Sequence, residues 1–255
     1  MDATVLFILC CTAFVAGFID AIVGGGGLLQ TPMSLVLLPQ FPVATVIGSV
    51  KIPSFSGTFL AAIQYLKKVK LKWNLLIIMI LLAIPAAFLG SLLLTKVNNN
   101  FMKPILLIIL VGLLIYTYTK KNFGQKSILN LTKKQQIKGA IVSSVVIGFY
   151  DGFIGPGTGS FFVLAFISLL GYDFLEASAN AKMVNLATNL GSIILFSCKG
   201  KIIWSIALPM AICNAFGGFL GSKLAIQKGN AFIRIFFIIV VVGTLFRFGY
   251  DVFYQ

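Results

Sequence analysis

The sequence predicts an all-α, polytopic membrane protein made of two similar halves, and three observations support this fold class. Hydrophobic residues make up 59% of the 255 residues and charged residues only 10%, whereas about a quarter of a typical soluble domain is charged. Apolar runs as long as a membrane-spanning helix recur along the chain. A glycine-rich pattern that contains an aspartate occurs twice, 131 residues apart. The chain therefore lacks the polar surface of a soluble protein and carries the signature of an internal duplication.

The duplication is visible residue by residue. GFIDAIVGGGG, from Gly17 to Gly27, matches GFYDGFIGPGTG, from Gly148 to Gly159, and at the same spacing Lys51 matches Lys182. The two tryptophans of the chain also match each other, and the register holds without insertion as far as Ser91. Duplicated apolar chains are typical of membrane transporters, in which the functional site lies where the repeats meet.

Eight apolar runs are long enough to cross a bilayer as helices, which takes about 20 residues. Between the first and second run of each half lies a shorter apolar segment, Leu28–Leu38 or Ser160–Leu170. As a helix, each would be only about 17 Å long, roughly half of the hydrocarbon core, so we expect two half-helices. The eight long runs are Thr4–Gly24, Pro42–Leu66, Asn74–Thr95, Phe101–Thr119, Ile137–Ile154, Phe174–Cys198, Ile202–Ile226 and Phe232–Phe253.

These runs divide the chain into a first membrane repeat (1–119), a basic cytoplasmic linker (120–136) and a second membrane repeat (137–255). If the half-helices cross the membrane with help from neighbours, each repeat has five segments and the second repeat is inverted. If they turn back, each repeat has four and the two run parallel. Lys and Arg in the loops orient the protein but fit both arrangements. We favour inversion, because an N-terminus without Lys or Arg suits the outer side.

Lys51 and Lys182 lie about ten residues into their spans. A lysine at that depth costs about 2.5–3.5 kcal/mol and generally faces an aqueous cavity or a partner. Two lysines at equivalent positions indicate two cations that converge on one anion site. Alternatively, each lysine forms a structural ion pair with Asp20 or Asp151, which are also repeat-matched, and an arriving anion could displace the carboxylate. Either aspartate could also carry a proton, because an apolar site favours the neutral acid.

The glycine clusters indicate helix ends within the membrane. Glycine tolerates positive φ and proline starts helices well, so each cluster is expected to end one helix and begin a half-helix. A helix N-terminus presents backbone N–H groups and the positive end of the helix dipole, which together bind anions. The alternative is that these glycines only permit tight helix packing.

Polar side chains gather around Lys182 in the second half. Asn185 and Asn189 follow it by three and seven positions on the same helix face, and their amides could donate hydrogen bonds to an oxyanion. Such residues can equally serve only as interhelical contacts. The residues expected to contact the substrate are Lys51, Lys182, Gly24, Gly25, Gly26, Gly27, Gly155, Gly157, Thr158, Gly159, Ser160, Asn185 and Asn189.

These motifs resemble those of a known family. GFYDGFIGPGTGSFF (Gly148–Phe162) and NAKMVNLATNLGSIILF (Asn180–Phe196) closely resemble the second-half signature of the TauE/SafE sulfite exporters, also called TSUP or sulfonate/sulfite permeases, and GFIDAIVGGGGLLQTPMSL (Gly17–Leu35) resembles the first-half glycine motif. The resemblance implies transport of sulfur-containing or organic anions, such as sulfite or sulfonates, across the bacterial cytoplasmic membrane.

The leading hypothesis is therefore a secondary transporter of small anions whose partners are its substrate and the lipid bilayer. An anion channel, or a membrane scaffold or assembly factor without transport, remain the alternatives. We expect no cofactor, no metal and no nucleic-acid partner, since the basic clusters are typical of cytoplasmic loops. An enzyme is disfavoured because the chain contains no histidine to act as a base or ligand in the intramembrane proteases that need one.

Overall fold

The structure, a computed structural model, describes residues 2–97 and 132–254, with side chains as far as residue 236 except that of residue 234. Within those ranges the chain forms helices joined by short loops, with no strand. The predicted run Phe101–Thr119 and most of the linker lie outside the described residues. The helices are α1 (Ala3–Val23), α2 (Gly27–Leu37), α3 (Val43–Leu66), α4 (Trp73–Lys96), α5 (Lys133–Phe153), α6 (Thr158–Leu170), α7 (Phe174–Cys198) and α8 (Trp204–Tyr254).

Five helical segments in the described ranges are long and apolar enough to cross a membrane: α1, α3, α4, α7 and the Trp204–Ile233 part of α8. α5, which contains most of the predicted run Ile137–Ile154, is not among them; it starts with two lysines and carries Asp151 near its other end. α8 contains the last predicted run and all but the first two residues of the run before it, and is interrupted at Gly229, whose φ of 71° and ψ of −163° are not helical. The half-helices correspond to α2 and α6.

Local chemistry explains where several helices begin and end. Asp2 caps α1, the Asp173 carboxylate accepts from the amide of Glu176 at the start of α7, and Thr132 forms a capping box with Gln135 ahead of α5. Each cap satisfies backbone N–H groups that lack a partner in the first helical turn. At the other end of α1, Gly24 adopts the left-handed conformation typical of a helix C-terminus.

The helices pack as two bundles that do not follow the two sequence halves. α8 packs mainly against α1 and α3, whereas α4 packs mainly against α5 and α7. We define the first bundle as α1, α2, α3 and α8 and the second bundle as α4, α5, α6 and α7. Each half thus contributes its last described long helix to the helices of the other half. Helices α3 and α7 form the main contact between the bundles.

Small residues allow these close helix contacts. Gly17 of α1 lies directly against Asn214 of α8, and Gly148 of α5 lies against Ala83 of α4. These two contacts are related by the 131-residue spacing of the sequence motifs. Small side chains let helix backbones approach and gain van der Waals contact in a bilayer. Gly17 and Gly148, the first residues of the two motifs, therefore contribute to helix packing.

α3 and α7 run antiparallel. The amide of Ile203, in the loop after α7, donates to the hydroxyl of Ser49 near the start of α3 at 2.8 Å. At the other end, the ammonium of Lys72, beyond the end of α3, lies 4.6 Å from the ring centre of Tyr172, just before α7. The start of each helix therefore lies near the end of the other.

The outer surfaces of α1, α4, α5 and α8 are apolar. Large side chains such as Phe7, Leu81, Val146 and Phe216 are each more than half exposed. An apolar exterior on several helices is the surface expected of a protein surrounded by lipid. Polar and charged side chains, by contrast, are buried at the centre, where α3 and α7 meet.

Candidate anion-binding site

The two glycine motifs meet at the centre of the molecule. The amide of Ser160 donates to the carbonyl of Gly24 at 3.0 Å, and the Ser160 hydroxyl donates to the carbonyl of Val23 at 3.0 Å. Gly24, at φ 81°, has no space for a side chain, since a Cβ there would lie 2.5 Å from the Ser160 nitrogen. The end of α1 and the start of α6 therefore lie in direct backbone contact, and Ser160 holds them together.

Lys51 reaches from α3 to the end of α5. Its ammonium lies 2.9 Å from Oδ1 of Asp151 and donates to the backbone carbonyl of Asp151 at 2.7 Å. Gly155, with a φ of +90°, provides room beside it, since a Cβ at that position would lie 3.0 Å from Nζ. An ammonium has three N–H donors, and these contacts use two of them. Lys51 is only 5% exposed. Its ion pair with Asp151 compensates the charge that is buried, as is usual for lysines within membranes.

Lys182 forms the reciprocal pair with the other half. Its Nζ lies 3.0 Å from Oδ2 of Asp20 and also donates to the Asp20 backbone carbonyl. The Thr58 hydroxyl approaches the same carboxylate oxygen at 3.4 Å. Each lysine thus pairs with an aspartate of the opposite sequence half, and also of the opposite bundle. Lys182 is fully buried.

A cavity of about 30 Å³ lies beside these pairs. One water molecule requires roughly 10–15 Å³, so the cavity has room for two or three. It is lined by residues of α1, α2, α3, α5, α6 and α7 and of the segments between them, so both bundles contribute. The lining residues are Asp20, Gly24, Gly27, Thr31, Ile47, Val50, Lys51, Ser54, Asp151, Ile154, Gly155, Gly157, Thr158, Gly159, Asn185 and Asn189.

Most of the residues expected to contact a substrate line this cavity, but four of them do not. Gly25 and Gly26 lie in the connection to α2, Ser160 is engaged with α1, and Lys182 is covered by its contacts with Asp20. Lys51 is the lysine that faces the space. The two lysines are therefore inequivalent in this conformation, although their sequence positions correspond.

Several cavity side chains can donate hydrogen bonds. The Thr188 hydroxyl donates to the backbone carbonyl of Asn185 at 2.9 Å and lies 3.4 Å from the Asn185 Oδ1, and the NH₂ group of Asn185 carries two N–H donors of its own. Asn189 lies one helical turn further along the same helix face. The Thr158 hydroxyl, in contrast, already donates to the Gly155 carbonyl at 2.6 Å. The amides and Lys51 are thus the side chains best suited to bind an oxyanion.

Sequence reasoning included Gly27 at the start of α2 but missed the polar side chains that follow it on this helix. Thr31 lines the cavity, and the buried residues of α2 are Gln30, Thr31 and Ser34. Three polar side chains on the buried face of a short helix were a usable signal, since the matching part of α6 buries mainly apolar residues. Gln30 accepts a hydrogen bond from Asn214 of α8 at 3.0 Å, which fixes α2 within the first bundle.

Known proteins similar to this chain agree with the membrane architecture. A sequence model of the family described as "Sulfite exporter TauE/SafE" matches residues 9–248, which is nearly the whole chain. The chain belongs to the TauE/SafE sulfite exporter family. Membership in TauE/SafE confirms the resemblance seen in the motifs and the prediction of a transport protein rather than an enzyme.

Several bacterial proteins are similar to this TauE/SafE chain over most of their length. One from Haemophilus influenzae, named "Probable membrane transporter protein", is 35% identical over 96% of this chain and 95% of its own length. "Probable membrane transporter protein ORF9" of a Sinorhizobium species is 33% identical over 92% of this chain and 88% of its own. "Probable membrane transporter protein YfcA" of Escherichia coli K12 is 31% identical over 96% of this chain and 90% of its own. No solved structure matches the chain.

Proposed function

We propose that this protein is a secondary transporter that carries small sulfur-containing or organic anions, such as sulfite or sulfonates, across the bacterial cytoplasmic membrane. The anion binds in the central cavity beside Lys51. Family membership and the transporter names of its relatives support the transport activity. The observation that carries the site is a buried ammonium that faces a cavity, with Asn185, Asn189 and the start of α6 around it.

The chemistry of the cavity suits a small anion. Lys51 has one N–H donor beyond its two contacts with Asp151, and the start of α6 at Thr158 brings the positive end of a helix dipole to the same wall. A volume of about 30 Å³ favours a compact headgroup, such as an inorganic or sulfonate oxyanion, over a bulky ligand. Lys182 does not contact the anion. It binds the carboxylate and the backbone carbonyl of Asp20 and so holds the end of α1 in place.

We further propose that the two repeats are inverted. α3 and α7 begin 131 residues apart, at Val43 and Phe174, and occupy equivalent places in the repeats. Their antiparallel arrangement, from the contacts at Ser49 and Tyr172, is the relation that inversion requires, whereas parallel repeats require equivalent helices to point the same way. Inverted repeats with broken helices near the membrane centre are a recurrent plan in secondary transporters.

The packing also suggests which units move. Movement of one sequence repeat against the other would have to separate α4 from α5 and α8 from α1, the most extensive helix contacts in the described structure. We therefore propose that access alternates by movement of the first bundle against the second bundle. The cavity and both Lys–Asp pairs lie between these bundles, so the motion would open the binding site to one side and then the other.

The test is anion flux into proteoliposomes that contain the purified protein. We expect saturable sulfite or sulfonate flux with counterflow, which distinguishes a carrier from a channel. Flux should fall strongly in Lys51→Ala because the cation at the cavity is removed. Lys199→Ala removes an exposed lysine beyond the end of α7 and serves as the matched control, with unchanged flux. Wild-type flux in Lys51→Ala would reject the proposed site, and flux without counterflow would favour a channel.

A further inference from the structure

Asp151 has a feature that the anion site alone does not explain. Its Oδ1 pairs with Lys51, but its Oδ2 is buried and has no hydrogen-bond partner among the described residues. The residue is 2% exposed and lines the cavity. A buried carboxylate oxygen without a partner is energetically unfavourable. The unpartnered oxygen therefore lies where a ligand or a proton would satisfy it.

The charges around the cavity balance before any anion arrives. Lys51 reaches Asp151 from α3, Asp20 lines the cavity from α1, and Lys182 of α7 neutralises Asp20. Of the other helices packed on α5, α6 has no ionisable residue and the lysine of α4 lies at its last position. Among the described residues, these two cations and two carboxylates sum to zero. A bound anion would therefore leave one uncompensated negative charge in a site of low dielectric, which is costly.

The remaining ionisable groups near Asp151 do not remove this charge. Tyr150, its neighbour on α5, donates its hydroxyl to the carbonyl of Pro156 at 2.7 Å. Glu176 of α7 lies in the first turn of its helix, six residues before Lys182. A proton at Asp151 would restore neutrality at the place where the charge arises.

We propose that Asp151 takes up a proton when the anion binds, so that anion and proton cross the membrane together. The proposal rests on the proposed transport function and adds its coupling ion. A proton from hydronium on the side where the anion enters binds Oδ2 and leaves water, and the resulting neutral acid releases the Lys51 ammonium from Oδ1 to the anion. The new O–H group donates a hydrogen bond to an anion oxygen. Release of the anion and the proton on the other side restores the Lys51–Asp151 pair, and no other bond changes.

Asp20 is less suited to this role. Its Oδ2 accepts from both Lys182 and Thr58, and the ammonium also binds its backbone carbonyl. No buried oxygen of Asp20 lacks a partner among the described residues, and its side chain is 19% exposed, against 3% for Asp151. The two repeat-matched aspartates therefore have different functions: Asp20 holds Lys182, whereas Asp151 offers the unpartnered oxygen to the proton.

The experiment uses proteoliposomes, radiolabelled methanesulfonate and an internal pH dye. Methanesulfonate stays ionised throughout the working pH range, so it does not itself carry a proton across the bilayer. Wild-type protein should acidify the lumen during inward methanesulfonate flux. In Asp151→Asn this acidification should be lost while exchange of labelled for unlabelled methanesulfonate remains measurable, because exchange needs no net proton movement.

Two results would overturn the coupling. One is wild-type methanesulfonate exchange and net flux without any change of internal pH, which needs no variant and leaves the transport function intact. The other is full acidification in Asp151→Asn. Absence of methanesulfonate and sulfite exchange in wild-type protein would instead reject the proposed function together with its coupling. Proton movement retained in Lys199→Ala serves as the control for reconstitution.

Discussion

At the scale of single residues, each central lysine is held by an aspartate of the other sequence half, Lys51 by Asp151 and Lys182 by Asp20. The spacing alone predicts that Lys51, Lys182, Asp20 and Asp151 belong together, because two buried lysines need anionic partners. It does not say which lysine pairs with which aspartate. The crossed pairing depends on the backbone contact at Gly24 that brings the two motifs together. The inequivalence of the two lysines depends on cavity shape, which no pattern of residue types encodes.

Gly24 gives a prediction at this scale. Gly24 and Gly200 both adopt positive φ, at 81° and 61°, but an added Cβ would meet the backbone of Gly159 and Ser160 at the first position and nothing within 4 Å at the second. Gly200→Ala should therefore lower the free energy of unfolding only by the cost of the left-handed conformation, about 1–2 kcal/mol. Gly24→Ala should cost clearly more, because the contact between α1 and α6 must also separate.

The measurement is the thermal unfolding midpoint of both variants in the same detergent, together with methanesulfonate flux. Gly200→Ala provides the control for backbone strain without a steric conflict. Equal midpoints for the two variants would show that the motifs of the two halves are not in contact at Gly24.

At the scale of helices, local signals predicted much of the secondary structure. Proline at position 42 and glycine at position 24 mark helix ends that the structure places within two residues of the predicted run boundaries. The partners of α4 and α8 could not be predicted in this way. Gly148 and Gly17 indicate that something packs closely against them, but a small residue on a helix is compatible with many neighbours. The exchange of these helices between the halves follows only from their contacts.

The antiparallel arrangement of α3 and α7 predicts the sidedness of two loops. Lys68 follows α3, Lys199 follows α7, and the two positions are repeat-matched and exposed. In a cysteine-free background, Lys68→Cys and Lys199→Cys should react with a membrane-impermeant maleimide from opposite sides of the membrane. The readout is labelling of intact cells against inside-out vesicles. Labelling of both cysteines from the same side would contradict inversion and favour parallel repeats.

At the scale of the whole molecule, the packing of α4 and α8 against helices of the other sequence half determines which parts can move as rigid units. The extensive contacts of α1 with α8 and of α4 with α5 make each bundle a compact unit, and they tie each bundle to both sequence halves. The Lys51–Asp151 and Lys182–Asp20 pairs both connect one bundle to the other. Removing one partner of such a buried pair typically costs about 3–5 kcal/mol. A ligand that competes for one of these lysines can therefore shift the balance between bundle arrangements.

Cross-linking distinguishes movement of bundles from movement of sequence halves. The hydroxyl of Ser56 in α3 donates to the carbonyl of Ala211 in α8 at 2.7 Å, a contact within the first bundle but between the halves. Mercuric bridging of Ser56→Cys with Ala211→Cys should leave methanesulfonate exchange intact if bundles move.

A second pair joins the two bundles. The hydroxyl of Ser178 in α7 lies 3.5 Å from the carbonyl of Ile22 in α1. Bridging Ser178→Cys with Ile22→Cys should therefore stop exchange until a thiol removes the mercury. The unbridged double variants serve as controls for each pair. If halves moved instead, both bridges would stop exchange, because both join residues of different halves; exchange that stops only with the second bridge therefore identifies the bundles as the moving units.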